Sequence, residues 1–486
     1  MNTISGQVRH EGADPAQVAS AAGETGDGAT RKLARHAATL KYEDLPPELV
    51  ALTKRCVLDT LGVTIGASGM AVEGRIACEY VNDLGGKPES TILGYGGKAP
   101  APWAVFVNGG LGHMLDYDDV GAGHVSIATI PAAFALAEKQ GGISGRDLIT
   151  AVAVGTDIMT RIDDAIPIPE WTAAEGWFAT QLFGFIAGAA TAGRVLGLDE
   201  AQMENALGIG FNQISGTRQM AVGASTHMRS MQAGFSGQGA VMSALLAQRG
   251  MIGSKDFLEG QYGLFKTYIR ARDPDWNALV GGLGKRFALL ARHGFKVWPA
   301  CNYTRPTNTA TLQLRRQYKL QPDDVESITI IGGHANTKQL SEPIERKRRP
   351  QLAIDGKFSI PFTTAVMMAK GNVTLRDYTD EGLRDPAVLA MADRVSYRPV
   401  SGDEKRFTFP AVEIRTRDGR VLRCQPEKLP GNPDNPVDQE LLDAKFRDCI
   451  SFAARPVAES NATRAMELIG DLENVADATE IIRLLS

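Results

Sequence analysis

The strongest constraint on the fold is a long stretch, from Arg31 to about Ala291, whose apolar residues recur at three and four and which is rich in glycine and alanine. Its densest part is WFATQLFGFIAGAATAGRVLGL (177–198). Small residues at that density let helices approach closely, so this segment is expected to be a central, buried helix. DLPPELVALTKRCVLDTLGVTIGAS predicts a second helix, with Asp44 as N-cap and prolines in the first turn. APWAVFVNGGLGHMLDYDD predicts another. IATIPAAFALAEKQGGISGRDLITAVAVGTDIMTRI reads as two helices split at Gly141-Gly142, the second capped by Ser144.

Near Lys296 the texture changes. VESITIIGGH alternates and is β-branched, as a strand is. VEIRTRDGRVLRCQ is a hairpin candidate through Asp418-Gly419. Helical stretches lie at Pro306–Tyr318 and at Ser359–Ala369, and LPGNPDNPVDQE is a linker. The expected fold class is mainly α with an α+β second domain: a large discontinuous all-helical domain (31–292, rejoined by 439–486) with an α+β lid inserted at 293–438. A chain of 486 residues is long enough for two such cores, and the cleft between them is the default site. Residues 1–30 read as a disordered tail without the apolar core of a signal peptide.

The net charge of −4 argues against nucleic acid or a membrane surface as the main partner, and no apolar run approaches ~20 residues. Five scattered cysteines without a CxxC pair suit a reducing compartment, and a cytoplasmic location is expected. The Walker, GxGxxG, GxSxG and HExxH motifs do not occur.

Titratable chemistry gathers in GHMLDYDDVGAGHVS (112–126). If the helix runs through Asp116, then His113 and Asp116 share a face, with His124 on the glycine loop that follows. A carboxylate and an imidazole converging on one pocket can move a proton near neutral pH. Solvated aspartates at a helix end are the plain alternative. A metal set of the aspartates with His124 has no recognised spacing. Arg229 precedes a Gly-rich helix start, either an anion site or a tightly packed entry. RHGFKVWPACNYTRP crowds Lys296, Tyr303 and Arg305 at the domain junction, cations and hydroxyls that suit a polyanion. Cys301 there has no local signal of a nucleophile. Lys357 precedes the helix at Ser359, and the basic run 345–350 reads as a solvated loop.

VNGGLGHMLDYDDVGAGHVSIATIPAAFALAE, EGWFATQLFGFIAGAATAG, ALGIGFNQISG, QAGFSGQGAVMSALLAQRGMIG, FKVWPACNYTRP and DGKFSIPF, in this order, resemble the MmgE/PrpD family from about Arg31 to about Ala454. The resemblance implies the helical domain with its α+β lid, a homodimer, no metal or organic cofactor, and work on small di- or tricarboxylates. It also implies a catalytic Asp116, His124 and Lys296. Several family positions are changed. Val120 stands where members have threonine, Arg229 where they have lysine, Gln232 and Phe178 where they have histidines, and HPS has become HVS. Arginine stays protonated and forks a carboxylate, but it is a poor acid or base.

Lowering a carbanion's barrier beside a carboxylate needs fixed cations and one proton carrier. Lys296, Arg229 and Arg305, with Tyr303, His113 and Lys357 nearby, are expected to bind the anion. His124 is expected to act as acid and base, and Asp116 to orient it. The leading expectation is a cofactor-independent hydro-lyase acting on a 2-methylcitrate-like hydroxy acid. Decarboxylation or epimerisation of a cis-aconitate-like polycarboxylate is the alternative. From other classes come a carboxylate-binding protein that has lost turnover and a metal hydrolase.

Overall fold

In a computed structural model, which describes residues 28–168, 171–221, 226–270, 274–400 and 409–486, the Gly/Ala-rich stretch folds as helices. These are α1 (Ala29–Thr39), α2 (Pro47–Met70), α3 (Val72–Leu84), α4 (Ala101–Met114), α5 (Val125–Gln140), α6 (Gly145–Asp164), α7 (Ala179–Val195), α8 (Glu200–Phe211) and α9 (Met228–Gln248). As expected, α7 is the buried centre, with every residue except Arg194 inside. A Cβ on its Gly188 would lie 2.7 Å from Ala240 Cβ in α9 and 3.0 Å from the Ala128 carbonyl in α5. That contact leaves room for nothing larger than glycine. The glycines of α9 serve the same end: a Cβ at Gly234 would come within 2.4 Å of the Phe106 carbonyl in α4. The glycines of this helix are thus taken up in close packing.

Local signals hold in most places. Ser144 caps α6, accepting from Asp147 N at 3.2 Å. Asp44 does not cap α2. Pro46 and Pro47 keep Leu45 and Pro46 extended, so the helix starts at Pro47 and Asp44 instead accepts from Lys41 N in a 3₁₀ turn. The tail also ends earlier than expected. α1 begins at Ala29, and the Thr30 hydroxyl donates to Glu259 at 2.6 Å. Residues 1–27 lie outside the described residues.

A short antiparallel ribbon joins two distant parts of the chain: β1 (Asp119–Val120) pairs with β2 (Gly294–Phe295). Beyond it lies the lid. Its sheet contains β3 (Val325–Gly332), β4 (Val395–Pro399), β5 (Ala411–Thr416) and β6 (Val421–Cys424) in the order β4-β3-β5-β6, with β3 and β4 parallel. β5 and β6 form the hairpin expected at Asp418-Gly419, where Gly419 takes φ +87°. Two helices, α10 (Arg305–Gln317) and α11 (Ile360–Lys370, capped by Ser359), pack on this sheet around Ile328, Ile330 and Val366.

After the linker come α12 (Gln439–Ile450), α13 (Glu459–Gly470) and α14 (Thr479–Leu484). Their Leu442, Phe446, Leu468 and Ile481 join the same apolar core as α1, α2 and α4 to α9. The chain therefore leaves the helical core once and returns to it. Among the described residues no single helix is long and apolar enough to cross a membrane.

Candidate active site

The acid-rich stretch is built by stopping α4 early. The helix ends at Met114, and Asp116 takes φ +50°, a conformation that side-chain-bearing residues seldom adopt. Lys296 holds it there. Its Nζ donates to the Asp116 carbonyl at 2.9 Å and pairs with the Asp116 carboxylate. The expected helical face shared by His113 and Asp116 is thus absent. From Asp116 the chain passes through bends at Asp116 and Asp118 and becomes extended only at β1 (Asp119–Val120). Asp116 and Asp118 meet Lys296, while Asp119 lies beside Asp118 and His124 and accepts from Ser126 N.

Asp118 is the hub. His113 Nδ1 donates to it at 3.1 Å, His124 Nδ1 at 2.7 Å, and Lys296 Nζ lies 3.8 Å away. The two imidazole rings are 4.4 Å apart. His124 Nδ1 also meets the Asp119 carbonyl at 2.9 Å. Both neighbours of that nitrogen are acceptors, so Nδ1 carries the proton and the neutral ring keeps its lone pair on Nε2. The His124 backbone is fixed separately, N–H to Thr180 Oγ1 at 3.0 Å. Its side chain is 16 % exposed against 1 % for Asp118. The imidazole is therefore the member of the set that solvent reaches.

Burial sets the charges. It opposes ionisation of Asp116, but Lys296 and then Arg229 outweigh it and hold the carboxyl down at about 2. Burial likewise opposes ionisation of Asp118, and His124, His113 and Lys296 hold it well below the usual carboxylate range. Lys296, wholly buried, stays above its ordinary value because Asp116 and Asp118 outweigh its desolvation. Burial keeps His113 below its usual value and hence neutral near pH 7.

Behind the ribbon lies a second set. Asp119 accepts from Ser126 N at 2.9 Å and sits 3.6 Å from His293 Nδ1, whose Nε2 is 3.2 Å from Cys56 Sγ. Burial, helped by Asp118, pushes Asp119 up to about 6, and burial with Arg55 pushes His293 down to about 3. A raised carboxyl binds its proton in the folded state first. The contribution of Asp119 to stability therefore falls as pH rises from about 4 to about 6. Asp119→Asn lacks this loss, so its melting temperature should gain on wild type across that window, by the equivalent of about 3 kcal/mol. A gap that stays constant between pH 4 and pH 6.5 would refute it.

Between the helical core and the lid opens a cleft of about 160 Å³. Phe178, Arg218 and Arg229 line one side, and Cys301, Tyr303, Lys347 and Phe358 the other. The Arg229 guanidinium lies between two rings, 4.2 Å from the Phe358 centroid and 5.0 Å from that of Phe178. Stacking fixes its plane and leaves its edge for a carboxylate. Its Nε has no hydrogen-bond partner among the described residues. Tyr303 stacks on His334 at 5.4 Å at the lid edge.

Two expected anion binders are placed otherwise. Arg305 is buried, and its Nη atoms are taken by Asn302 Oδ1 at 2.6 Å, the Pro430 carbonyl at 2.6 Å and Asn432 Oδ1 at 2.8 Å. It ties α10 to the linker. Lys357 lies under the cleft floor and donates to the Met114 carbonyl at 2.9 Å, and burial lowers it to about 8. The basic run 345–350 is not a solvated loop. Lys347 donates to the Phe358 carbonyl at 2.7 Å and Arg348 to that of Val395 at 2.8 Å, because the unpaired carbonyls of neighbouring segments are within their reach.

Among the described residues two groups have metal-ligand spacing, His113/Asp116/His124 and Asp118/Asp119/His124. Both hold carboxylates already facing the Lys296 ammonium, and both imidazole Nδ1 atoms are donors to Asp118. A second cation there would be repelled by the first, so the donor set fits a resident lysine better than a metal.

Comparison with known proteins gives two family matches: the MmgE/PrpD N-terminal domain over residues 31–277 and the MmgE/PrpD C-terminal domain over residues 298–471. A cis-aconitate decarboxylase of Aspergillus terreus is 26 % identical over 94 % of this chain and 96 % of its own length. The human cis-aconitate decarboxylase is 24 % identical over 92 % of each. A mitochondrial 2-methylcitrate dehydratase of Yarrowia lipolytica is 24 % identical over 76 % of this chain and 73 % of its own.

Proposed function

The chain belongs to the MmgE/PrpD family, and we propose from that premise that it is a lyase breaking a bond beside a carboxylate of a small di- or tricarboxylate. The observation that carries this reading is the Asp118–His124 pair beside the buried Lys296, with Arg229 of the cleft wall close enough to act on the same Asp116 carboxylate as Lys296. Arg229 anchors one carboxylate of the substrate. Lys296 stabilises negative charge as it develops, an effect worth several kcal/mol in a water-poor site. His124 moves the proton at Nε2, and Asp118 holds its tautomer.

Two cleavages draw on this set. Decarboxylation releases CO₂, leaves the electron pair beside a carboxylate and needs one acid to return a proton. The single solvent-reached imidazole and the two full-length decarboxylase relatives favour it. Dehydration needs a base for Cα–H and an acid for the departing hydroxyl. Tyr303 on the opposite wall of the cleft supplies the second carrier, and the dehydratase relative favours that course. Proton NMR in D₂O with cis-aconitate, 2-methylcitrate, citrate and substituted succinates separates them. Loss of CO₂ from cis-aconitate marks a decarboxylase, and new vinyl signals from a hydroxy acid a dehydratase. Deuterium washing into an unchanged acid marks an epimerase. Ligand binding without turnover would overturn the lyase reading in favour of a binding protein.

We also propose that the chain works as a homodimer through α3, α4 and α9. Val72, Ile76, Tyr80 and Leu84 form one exposed apolar row on α3. It continues through edge-on rings, Tyr80–Trp103 and Trp103–Phe106 at 5.9 Å and Phe106–Phe235 at 5.2 Å. An exposed apolar face this continuous marks an interaction surface. Light scattering should give the mass of two chains, and Ile76→Glu/Tyr80→Glu the mass of one. A wild-type monomer would refute the pairing.

A further inference from the structure

Lys445 of α12 has 2 % of its side chain exposed and does not line the cleft. Its Nζ donates to the Tyr117 carbonyl at 2.6 Å and to the Lys296 carbonyl at 3.1 Å, and it forms an ion pair with Asp59 Oδ1 of α2 at 2.6 Å. It also lies 4.0 Å from the Tyr117 ring centroid. An ammonium has three N–H donors. Here one goes to the acid loop, one to the lysine strand and one faces a carboxylate.

The location gives this arrangement its consequence. Tyr117 stands between Asp116 and Asp118, and the second carbonyl belongs to Lys296 itself. The ribbon that should hold these two segments in register is very short: Asp119 pairs with Phe295 and Val120 with Gly294. Continued one step, the same register sets Asp118 opposite Lys296. Beyond the ladder, the Lys296 ammonium itself reaches back to the Asp116 carbonyl at 2.9 Å and to the Asp116 carboxylate, and two further contacts join the segments at their backbones. The Tyr117 hydroxyl reaches the Val297 carbonyl at 3.3 Å, and Lys445 joins two carbonyls that would otherwise repel each other. An apolar side chain would fill this space without the cost of burying a charge. Only a donor can hold both carbonyls.

We propose that Lys445, neutralised by Asp59, is a positioning residue: it clips the acid loop to the lysine strand and so sets the distance from the Lys296 ammonium to Asp118 and the tautomer-locked His124. It touches no substrate. Its kinetic consequence rests on the lyase reading above, while its effect on the imidazoles does not.

The test compares Lys445→Met with Lys445→Met/Asp59→Leu in the full chain. The single variant leaves a buried carboxylate bare and should lose stability. The double variant removes both charges, and exchanging a buried pair for apolar residues is often neutral for folding. The double variant is expected to keep its near-UV circular dichroism and its melting temperature. Its kcat should fall by about tenfold or more with KM within about twofold, because sub-ångström displacement costs turnover and not cleft binding. In histidine-selective ¹⁵N spectra, its His124 titration should move away from that of wild type. Wild-type kcat together with an unmoved imidazole titration would overturn the proposal and reduce Lys445 to a packing pair. Loss of near-UV signal in the double variant would also overturn it, by assigning the pair to general stability. If the wild type turns over no carboxylate, the lyase reading fails, and the imidazole titration still decides the role of Lys445.

Discussion

An Asp118→Asn variant is expected to fold and to lose about 10³–10⁴-fold in kcat. The magnitude follows from the donors that face this side chain. The carboxylate accepts from His113 Nδ1 and His124 Nδ1 together. An asparagine of the same shape has one accepting oxygen and an NH₂ that itself donates. It satisfies one imidazole and confronts the other with a donor. The ring so confronted turns its lone pair to Nδ1 and its hydrogen to Nε2. If that ring is His124, it no longer takes a proton where the substrate lies. Lys296 also loses one of its two counter-charges, the one 3.8 Å away. Anion binding at Arg229 is untouched, so KM should change little beside kcat. The ¹⁵N pattern of His124 reports the tautomer directly. A variant with kcat within tenfold of wild type and an unchanged ring pattern would remove Asp118 from the mechanism.

Asp118 also shows where the sequence was legible and where it was not. The residue types and order of GHMLDYDDVGAGHVS draw attention to His113, Asp116 and His124, while Lys296 reads only as a cation at the domain junction and is grouped with them by the family resemblance. Choosing among three aspartates required knowing that the helix stops. Apolar periodicity runs smoothly to Leu115, and a non-glycine residue with positive φ leaves no mark in periodicity. Asp118 reaches Lys296 and both imidazoles from a bend just before β1, a turn that residue types alone do not reveal. Two glycines closing the stretch were the available hint that the helix could not continue.

Arg305 and Lys357 fail to reach the cleft for a related reason. A cation at a domain junction is equally suited to an anionic substrate and to the bare carbonyls of adjoining segments. Composition does not separate the two, whereas the loop at Pro430 and the end of α4 at Met114 do. Phe178 entered the sequence reading as a lost histidine. Stacked on Arg229, it becomes part of how the cleft holds a guanidinium. The helical core was easier to read, because small residues at helical spacing have few other uses.

Lys296→Met is expected to damage both stability and turnover, and the two losses separate on repair. The ammonium is wholly buried and lies between Asp116 and Asp118. Removing it leaves two buried carboxylates without their cation, a change that typically costs about 3–5 kcal/mol. The melting temperature should fall clearly, and Asp116 should lose the anchor that keeps its backbone at φ +50°. Catalysis loses the charge nearest the developing carbanion, several kcal/mol by the usual measure, so kcat should fall about 10³-fold. Lys296→Met/Asp116→Asn removes the bare charge as well. Its melting temperature should recover toward wild type, since a neutral amide is far cheaper to bury than an unpaired carboxylate. Its kcat should not recover, because the transition-state charge still has no cation beside it. Recovery of both would mean that Lys296 only balances Asp116, and the developing charge would then have to be met by Arg229. Recovery of neither would mean that the Asp116 carboxylate has a task of its own, one its Oδ2, unpartnered among the described residues, is free to perform.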